Sequence, residues 1–438
     1  MKRIIDLHLL GWVNSYRRKP LLLRGARQVG KTFAVRKLGE SFKDYIEINF
    51  EQQAHLKTIF DHDLIPTRII RDLSAALNKK ILPGETLLFF DEIQEVPKAI
   101  TSLRYFYEEM PNLHVIAAGS LLDFALDQVG VPVGRLSSFF LYPMSWIEFL
   151  KAINEEILLE TILNHHHNEP MNAAVHDKAL RLLAEYLAIG GMPEAIRAWV
   201  ETKDPNAFLE IHQNIITFYK QDFQKYSEKR GVKYVESVFA NVPNQIGSRY
   251  KFNLVPGEYR KRELYPALNL LEKAGIIHKV YHSSGHGLPL GAQADMDKFK
   301  VVFLDVGLTQ ALLGLNSVEW FLNPNQSFIN KGALIESFVG QELLAYSNPI
   351  LENRLYYWQR EARSSQAEVD YLIQKQSSII PIEVKSDQGS TLRSMHLFLE
   401  THPQSTYGIR YSTHNYSIHE KIKSIPLYAI GSDLNEKV

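Results

Sequence analysis

Hydrophobic positions fall into runs whose length and period change along the chain. Residues 20–23 (PLLL) form a short apolar strand, followed by a glycine-bounded loop, GARQVGKT, and then by TFAVRKLGESF, which has helical spacing. YIEINF (45–50) alternates as a half-buried strand does, 66–78 reads as a helix, and TLLFF (86–90) is an unbroken apolar strand ending in Asp91 and Glu92. A helix over 98–109 precedes the apolar strand 114–118, which ends at Gly119 and Ser120. Strands alternating with helices predict an α/β fold with a parallel sheet and helices on both faces.

From about residue 145 strand signals vanish and helical periodicity runs to Tyr226, broken at Gly190-Gly191-Met192-Pro193, which predicts a helical lid or connector. His165, His166 and His167 lack the i, i+4 pairing of a helical metal site and are expected in a solvated loop. Over 233–282, helical segments lead through a glycine into an alternating strand, and helix, helix and hairpin in that order predict a winged helix. Within 248–262, Arg249, Lys251, Arg260, Lys261 and Arg262 stand against one acid, Glu258, either as a phosphate-facing patch or as a solvated face.

Composition narrows the class. The 438 residues, 45% hydrophobic and 22% charged, are expected to fold nearly throughout as several domains. No cysteine is present, which excludes disulfides and thiolate chemistry and fits a cytoplasmic location. No apolar run is long enough to span a bilayer, and Asp6 and His8 argue against a signal peptide, so no membrane association is expected. Lys+Arg and Asp+Glu balance at 49 each, so nucleic-acid contact requires a local basic surface.

GARQVGKT has the spacing of a phosphate-binding loop and sits between a strand and a helix, as that motif requires. Gly25 and Gly30 let backbone N–H groups wrap phosphates, with Ala26, Arg27, Gln28, Val29 and Phe33 completing the nucleotide contact. Lys31 is expected to reach the β- and γ-phosphates of ATP, and Thr32 to bind Mg²⁺. Asp91 at the end of an apolar strand would hold the magnesium shell and Glu92 would polarise the attacking water. Ser120 is a candidate for the γ-phosphate or the water, or a turn serine. Arg135 is either a transition-state arginine, acting in cis or across a homo-oligomer, or a structural turn residue.

Toward the C-terminus, 366–373 alternate into a strand carrying Asp370. Ile379–Val384 forms the next, placing Glu383 and Lys385 on one face because side chains repeat every two residues. A hairpin would bring the three together, with two carboxylates to hold Mg²⁺ and a lysine to position or deprotonate water. The alternative is a surface pair on a binding module. Tyr356, Tyr357 and Trp358 are expected in the core rather than stacking on bases.

GARQVGKT, LLFFDE, AAGS and GRLSSFFLYPMSWIEF resemble the bacterial and archaeal AAA+-type ATPases whose C-terminal part is the DUF4143 domain. GGMPEAI (190–196), KVVFLDVGL (300–308), GALIESFVGQEL (332–343), YYWQREARSSQAEVDYLI (356–373) and IIPIEVKS (379–386) extend the resemblance over nearly the whole chain. It implies a P-loop domain over 1–145, a helical lid over 146–230, a winged-helix region over 231–325 and, over 326–438, a domain similar to the PD-(D/E)xK restriction-endonuclease fold. It also implies roles: Glu336 as an additional acid, Asp370 as central metal ligand, Glu383 as second ligand and Lys385 as the catalytic amine. Two functions follow as expectations. One is an ATPase coupled to Mg²⁺-dependent cleavage of nucleic acid, DNA before RNA. The other is an ATP-gated switch whose C-terminal domain binds DNA or protein without cutting.

Overall fold

The computed structural model describes residues 1–119, 122, 125, 126, 130, 134–226, 231–360, 367–386 and 392–434. The chain divides into two compact units. The first comprises Met1–Tyr142 with the short segments Lys273–Gly275 and Ser347–Glu352; the second holds the rest.

The first unit is built on five strands: β1 (Leu21–Arg24), β2 (Asp44–Asn49), β3 (Thr86–Asp91), β4 (His114–Ala118) and β5 (Ser137–Phe140). Their order is β2-β3-β4-β1-β5 and every pair is parallel. A parallel sheet is covered on both faces, which is why β3 and β4 read as unbroken apolar runs and are buried along their whole length. Around Phe90 of β3, Phe50 stacks, Phe60 packs edge-to-face and Phe106 lies tilted. β5 is a strand that periodicity did not single out, because SSFF alternates too weakly and only Phe139 is buried.

The second unit contains the helices Trp146–Ala152, Ala173–Ile189, Pro193–Thr202 and Pro205–Tyr226, in the stretch where helical periodicity dominates. The helices Val232–Asn241 and Lys261–Lys273 follow, then the antiparallel pair β6 (Ile277–Ser283) and β7 (Ala294–Phe303). That hairpin is not a separate layer. β6 runs parallel to β8 (Leu355–Gln359), so the hairpin continues into β9 (Glu368–Lys375), β10 (Ser378–Lys385), β11 (Gly408–Ser412), β13 (Ile422–Pro426) and β12 (Ser417–His419) as one eight-stranded mixed sheet. Pairing with β8 covers an edge whose N–H and C=O groups would otherwise need another partner. The regions expected as lid, winged helix and nuclease-like domain thus share one compact unit.

Within it, the Gly190-Gly191 break is a joint. Gly190 has φ 77° and ψ −173°, a conformation essentially reserved for glycine, and a Cβ there would lie 2.3 Å from Asp305 Oδ1. Asp305 Oδ2 accepts from Gly191 N at 2.5 Å, while its Oδ1 accepts from Leu308 N at 2.9 Å and caps the helix Val306–Leu313. Similarly, buried Glu342 accepts from Trp146 N at the start of Trp146–Ala152. The histidine run lies in a loop as expected, with His166 exposed, but His165 and His167 are half-buried and pack their rings on Tyr416. Tyr357 and Trp358 are core residues as expected. Among the described residues no helix is long and apolar enough to cross a membrane.

Candidate nucleotide site and the C-terminal acidic cluster

The phosphate-binding loop joins buried β1 to the helix Lys31–Gly39. Three of its residues take positive φ: Gly25 at 140°, Gln28 at 66° and Gly30 at 97°. A Cβ on Gly25 would meet Leu141 O at 2.2 Å, so glycine is required both by conformation and by close approach. Gln28 has no such licence, and its left-handed backbone is held because Ala26 and Val29 on either side are buried. Arg3 braces the turn from outside the motif, donating Nη1 to Val29 O at 2.9 Å and Nη2 to Tyr142 O at 2.7 Å.

Lys31 is buried, and its Nζ donates to Gly25 O at 2.9 Å and Ala26 O at 2.8 Å. Burial lowers its pKa to about 8, against the charges of Glu92 and Asp91, which raise it. Thr32 Oγ1 donates to Asp91 Oδ2 at 3.1 Å, and Asn49 Nδ2, in register with Asp91 across β2 and β3, reaches the same oxygen at 3.3 Å. Burial, with neighbouring Glu92, pushes the Asp91 carboxyl up to about 6. A hydroxyl and a carboxylate in contact, the latter strained by its own charge, are the donors a small hard cation needs, so the pair fits Mg²⁺. Glu92 follows with φ 51°, and Gln94 Nε2 donates to its Oε2 at 2.6 Å. Arg27 faces Glu51 at 3.9 Å, and Phe33 is half exposed.

Arg135 pairs with Glu108 Oε1 at 2.8 Å on an exposed surface, beside Arg104 on the same carboxylate. Ser120 lies outside the described residues. Arg3, Asn49 and Gln94 are the residues that motif reading passed over. Asn49 alone carried a signal, as the polar end of an alternating strand.

This geometry agrees with the comparisons. Residues 17–150 match an AAA domain. The first unit is therefore an ATPase-type P-loop domain. Residues 331–430 match DUF4143, and residues 180–319 match DUF8612, both described as domains of unknown function. The Walker-type ATPase PABY2304 of Pyrococcus abyssi is similar at 17% identity, with a TM-score of 0.45 over 70% of this chain and 94% of that one. PCH-2 of C. elegans is similar at 13% identity, with a TM-score of 0.26 over 49% and 68%. No curated protein matches.

In the second unit two of the three expected acids, Glu336 and Asp370, meet around a lysine, joined there by Glu368. Lys300, on β7 and 2% exposed, places Nζ 2.8 Å from Glu336 Oε1, against Glu368 Oε1, and 3.7 Å from Asp370 Oδ1. Although burial opposes it, the charges of Glu336, Asp370 and Glu368 hold this ammonium well above the ordinary lysine range. Burial in turn raises Glu336 to about 7, with Lys300 pulling the other way. Asp370 is engaged twice, because its Oδ2 also accepts from Val384 N at 2.8 Å where the β9–β10 ladder has ended at Tyr371 and Ile382. Glu383 and Lys385 share a face as the period of two requires, with Lys385 Nζ 2.8 Å from Glu383 Oε1. Burial raises the Glu383 carboxyl.

Among the described residues no group of three or more histidine, cysteine, aspartate or glutamate side chains has the arrangement of a metal site. The expected ligand set of Glu336, Asp370 and Glu383 is thus divided between Lys300 and Lys385, and it does not fit Mg²⁺. Lys300 already occupies the positions on Glu336 and Asp370 that a divalent ion would need, and displacing it would break a buried ion pair. Lys300 and Glu368 were missed because a lysine inside KFKVVF reads as the polar phase of a strand, and nothing local ties residue 300 to 336, 368 and 370.

Proposed function

We propose that this chain hydrolyses MgATP and acts as an ATP-gated switch whose second unit binds nucleic acid, DNA before RNA, without cleaving it. The observation that carries the choice is Lys300, seated among the acids that cleavage would need for metal. At the P-loop, Lys31 would exchange the carbonyls of Gly25 and Ala26 for phosphate oxygens, and the backbone N–H groups of Gly25–Gly30 would hold the rest of the polyphosphate. Thr32 and Asp91 would hold Mg²⁺, which supplies charge neutralisation to the β- and γ-phosphoryl oxygens when bound. Glu92 polarises the attacking water, and Asn49 keeps Asp91 oriented. Arg135 is the candidate arginine; supplied across an interface it would make the working form a homo-oligomer. Arg249, Lys251, Arg260, Lys261 and Arg262 are all exposed, as a phosphate-contacting surface must be.

The test combines two assays on wild type, Lys31→Ala and Asp370→Ala. Labelled duplex and single-stranded DNA are titrated by polarisation with and without ATP, and the same DNAs are incubated with Mg²⁺ or Mn²⁺ and resolved on gels. The switch reading expects ATP-dependent affinity that Lys31→Ala abolishes, and intact DNA throughout. Product formed by wild type and lost in Asp370→Ala would replace it with the nuclease reading.

A further inference from the structure

We infer that Gln94 is a positioning residue for ATP hydrolysis: its carboxamide holds the Glu92 carboxylate, and Gly119 provides the space that carboxamide needs. The inference rests on the reading of Glu92 as the group that polarises water.

Glu92 leaves the end of β3 with φ 51° and ψ 45°, a left-handed conformation that a glutamate adopts only when its surroundings impose it. Those surroundings are the short turn Ile93–Glu95, in which Ile93 is fully buried and fixes the direction in which Gln94 leaves the backbone. Gln94 Nε2 then donates to Glu92 Oε2 at 2.6 Å. This bond takes one carboxylate oxygen and leaves Oε1 as the second acceptor, the one that would meet a water. The other end of the carboxamide is equally constrained. Gln94 Oε1 is buried and has no hydrogen-bond partner among the described residues. A Cβ at position 119 would fall 2.1 Å from it, so only glycine at the end of β4 admits the carboxamide in this pose. Two strand ends, β3 with Glu92 and β4 with Gly119, therefore close on one side chain.

The choice of amide is chemical. A neutral N–H donor can fix a carboxylate without neutralising it, whereas a lysine would discharge the base and a glutamate would repel it. Since fixing a reacting group in its productive geometry lowers the barrier without touching substrate, losing that grip should slow turnover while sparing nucleotide binding.

The experiment measures steady-state and single-turnover ATP hydrolysis by the full chain, and the Kd of a fluorescent ATP analogue. The variants are Gln94→Ala, Gln94→Glu, Gly119→Ala, Glu92→Gln and Gln94→Ala combined with Glu92→Gln. We expect Gln94→Ala and Gly119→Ala to lower kcat roughly tenfold with Kd within about twofold of wild type, and Gln94→Glu to lower it further. On the Glu92→Gln background, Gln94→Ala should cost nothing more. An unchanged kcat in Gln94→Ala, or an equal loss with Glu92 already replaced, overturns the positioning role. Wild-type turnover by Glu92→Gln overturns instead the reading of Glu92. Should Gln94→Ala lose nucleotide binding, Gln94→Met, which keeps the side-chain length without the donor, decides the same question.

Discussion

Replacing Lys300 with methionine keeps most of the side-chain volume and removes only the ammonium. Three carboxylates then share a site with no counterion: Glu336 at 14% side-chain exposure, Asp370 at 16% and Glu368 at 26%. At an effective dielectric of about 20, a single pair 2.8 Å apart gains about 6 kcal/mol in gross Coulomb energy. Most of that offsets desolvation, and breaking a buried pair by removing one partner costs about 3–5 kcal/mol net. The cost should depend on pH with a definite sign. Glu336 has its folded pKa raised to about 7, so the folded state keeps a proton there that the unfolded chain releases near the ordinary glutamate value of 4.5. Stability from this group falls as pH rises through that window. In the variant, without Lys300 to pull the other way, the window extends upward. Lys300→Met should therefore lose most above pH 7 and recover toward pH 5, by at most about 1.4 kcal/mol per pH unit for one proton. Urea unfolding followed by tryptophan fluorescence reads the second unit, which contains Trp146, Trp199, Trp320 and Trp358 but not Trp12. Without nucleotide, millimolar Mg²⁺ should stabilise Lys300→Met and leave wild type unmoved, and adding Glu336→Gln should restore part of the loss. A variant as stable as wild type at pH 8, or a wild type whose second unit Mg²⁺ stabilises, would refute the assignment of Lys300 as the resident cation.

Three further outcomes are expected. Gly190→Ala forces a Cβ to 2.3 Å from Asp305 at a glycine-only conformation, so it should cost about 1–3 kcal/mol in strain and more from the displaced Gly191 bond, read as a lowered urea midpoint. Arg3→Met removes a charged donor from Val29 O, a bond of about 1.5–3 kcal/mol; ATP affinity should fall roughly tenfold while the fold survives, measured by calorimetry. Lys31 is about half protonated near pH 8, and a polyphosphate favours its charged form, so ATP binding at pH 8 should take up about half a proton and at pH 6 almost none. Binding enthalpies that do not change with buffer ionisation at pH 8 would contradict the last.

What could be read along the chain was whatever is local. The P-loop is one strand, one turn and one helix within a dozen residues, and β3 announces Asp91 by ending an apolar run. Glu383 and Lys385 met on one face because the strand period is built into the backbone. Contacts between distant segments were not legible. Arg3 reaches Val29 and Tyr142, Asp305 clamps Gly191, Glu342 accepts from Trp146, and Lys300 gathers residues 336, 368 and 370. GGMPEAI and KVVFLDVGL lie about a hundred residues apart, and nothing local in either says that they touch. They are the two halves of one joint, glycine conformation on one side and a buried carboxylate on the other.

The two buried lysines show why one site is open to chemistry and the other is not. Both stand near acids, and motif reading gives each neighbourhood an acid–lysine set suited to phosphate chemistry. Lys31 donates to backbone carbonyls and has its pKa lowered by burial to about 8, so its charge is under-compensated and an incoming polyanion improves its situation. Asp91, raised to about 6, is held by the neutral hydroxyl of Thr32 and amide of Asn49, so an incoming cation improves it, whereas Glu336, raised to about 7, already has Lys300 Nζ at 2.8 Å. The P-loop thus stores an unmet demand for both halves of MgATP. Lys300 is in the opposite condition, with three carboxylates holding its charge well above the ordinary range, and a cation arriving there must displace it against that attraction. A ligand gains little where it must first displace a buried internal ion pair. On that ground the second unit is expected to act through its exposed basic surface rather than through the acidic cluster.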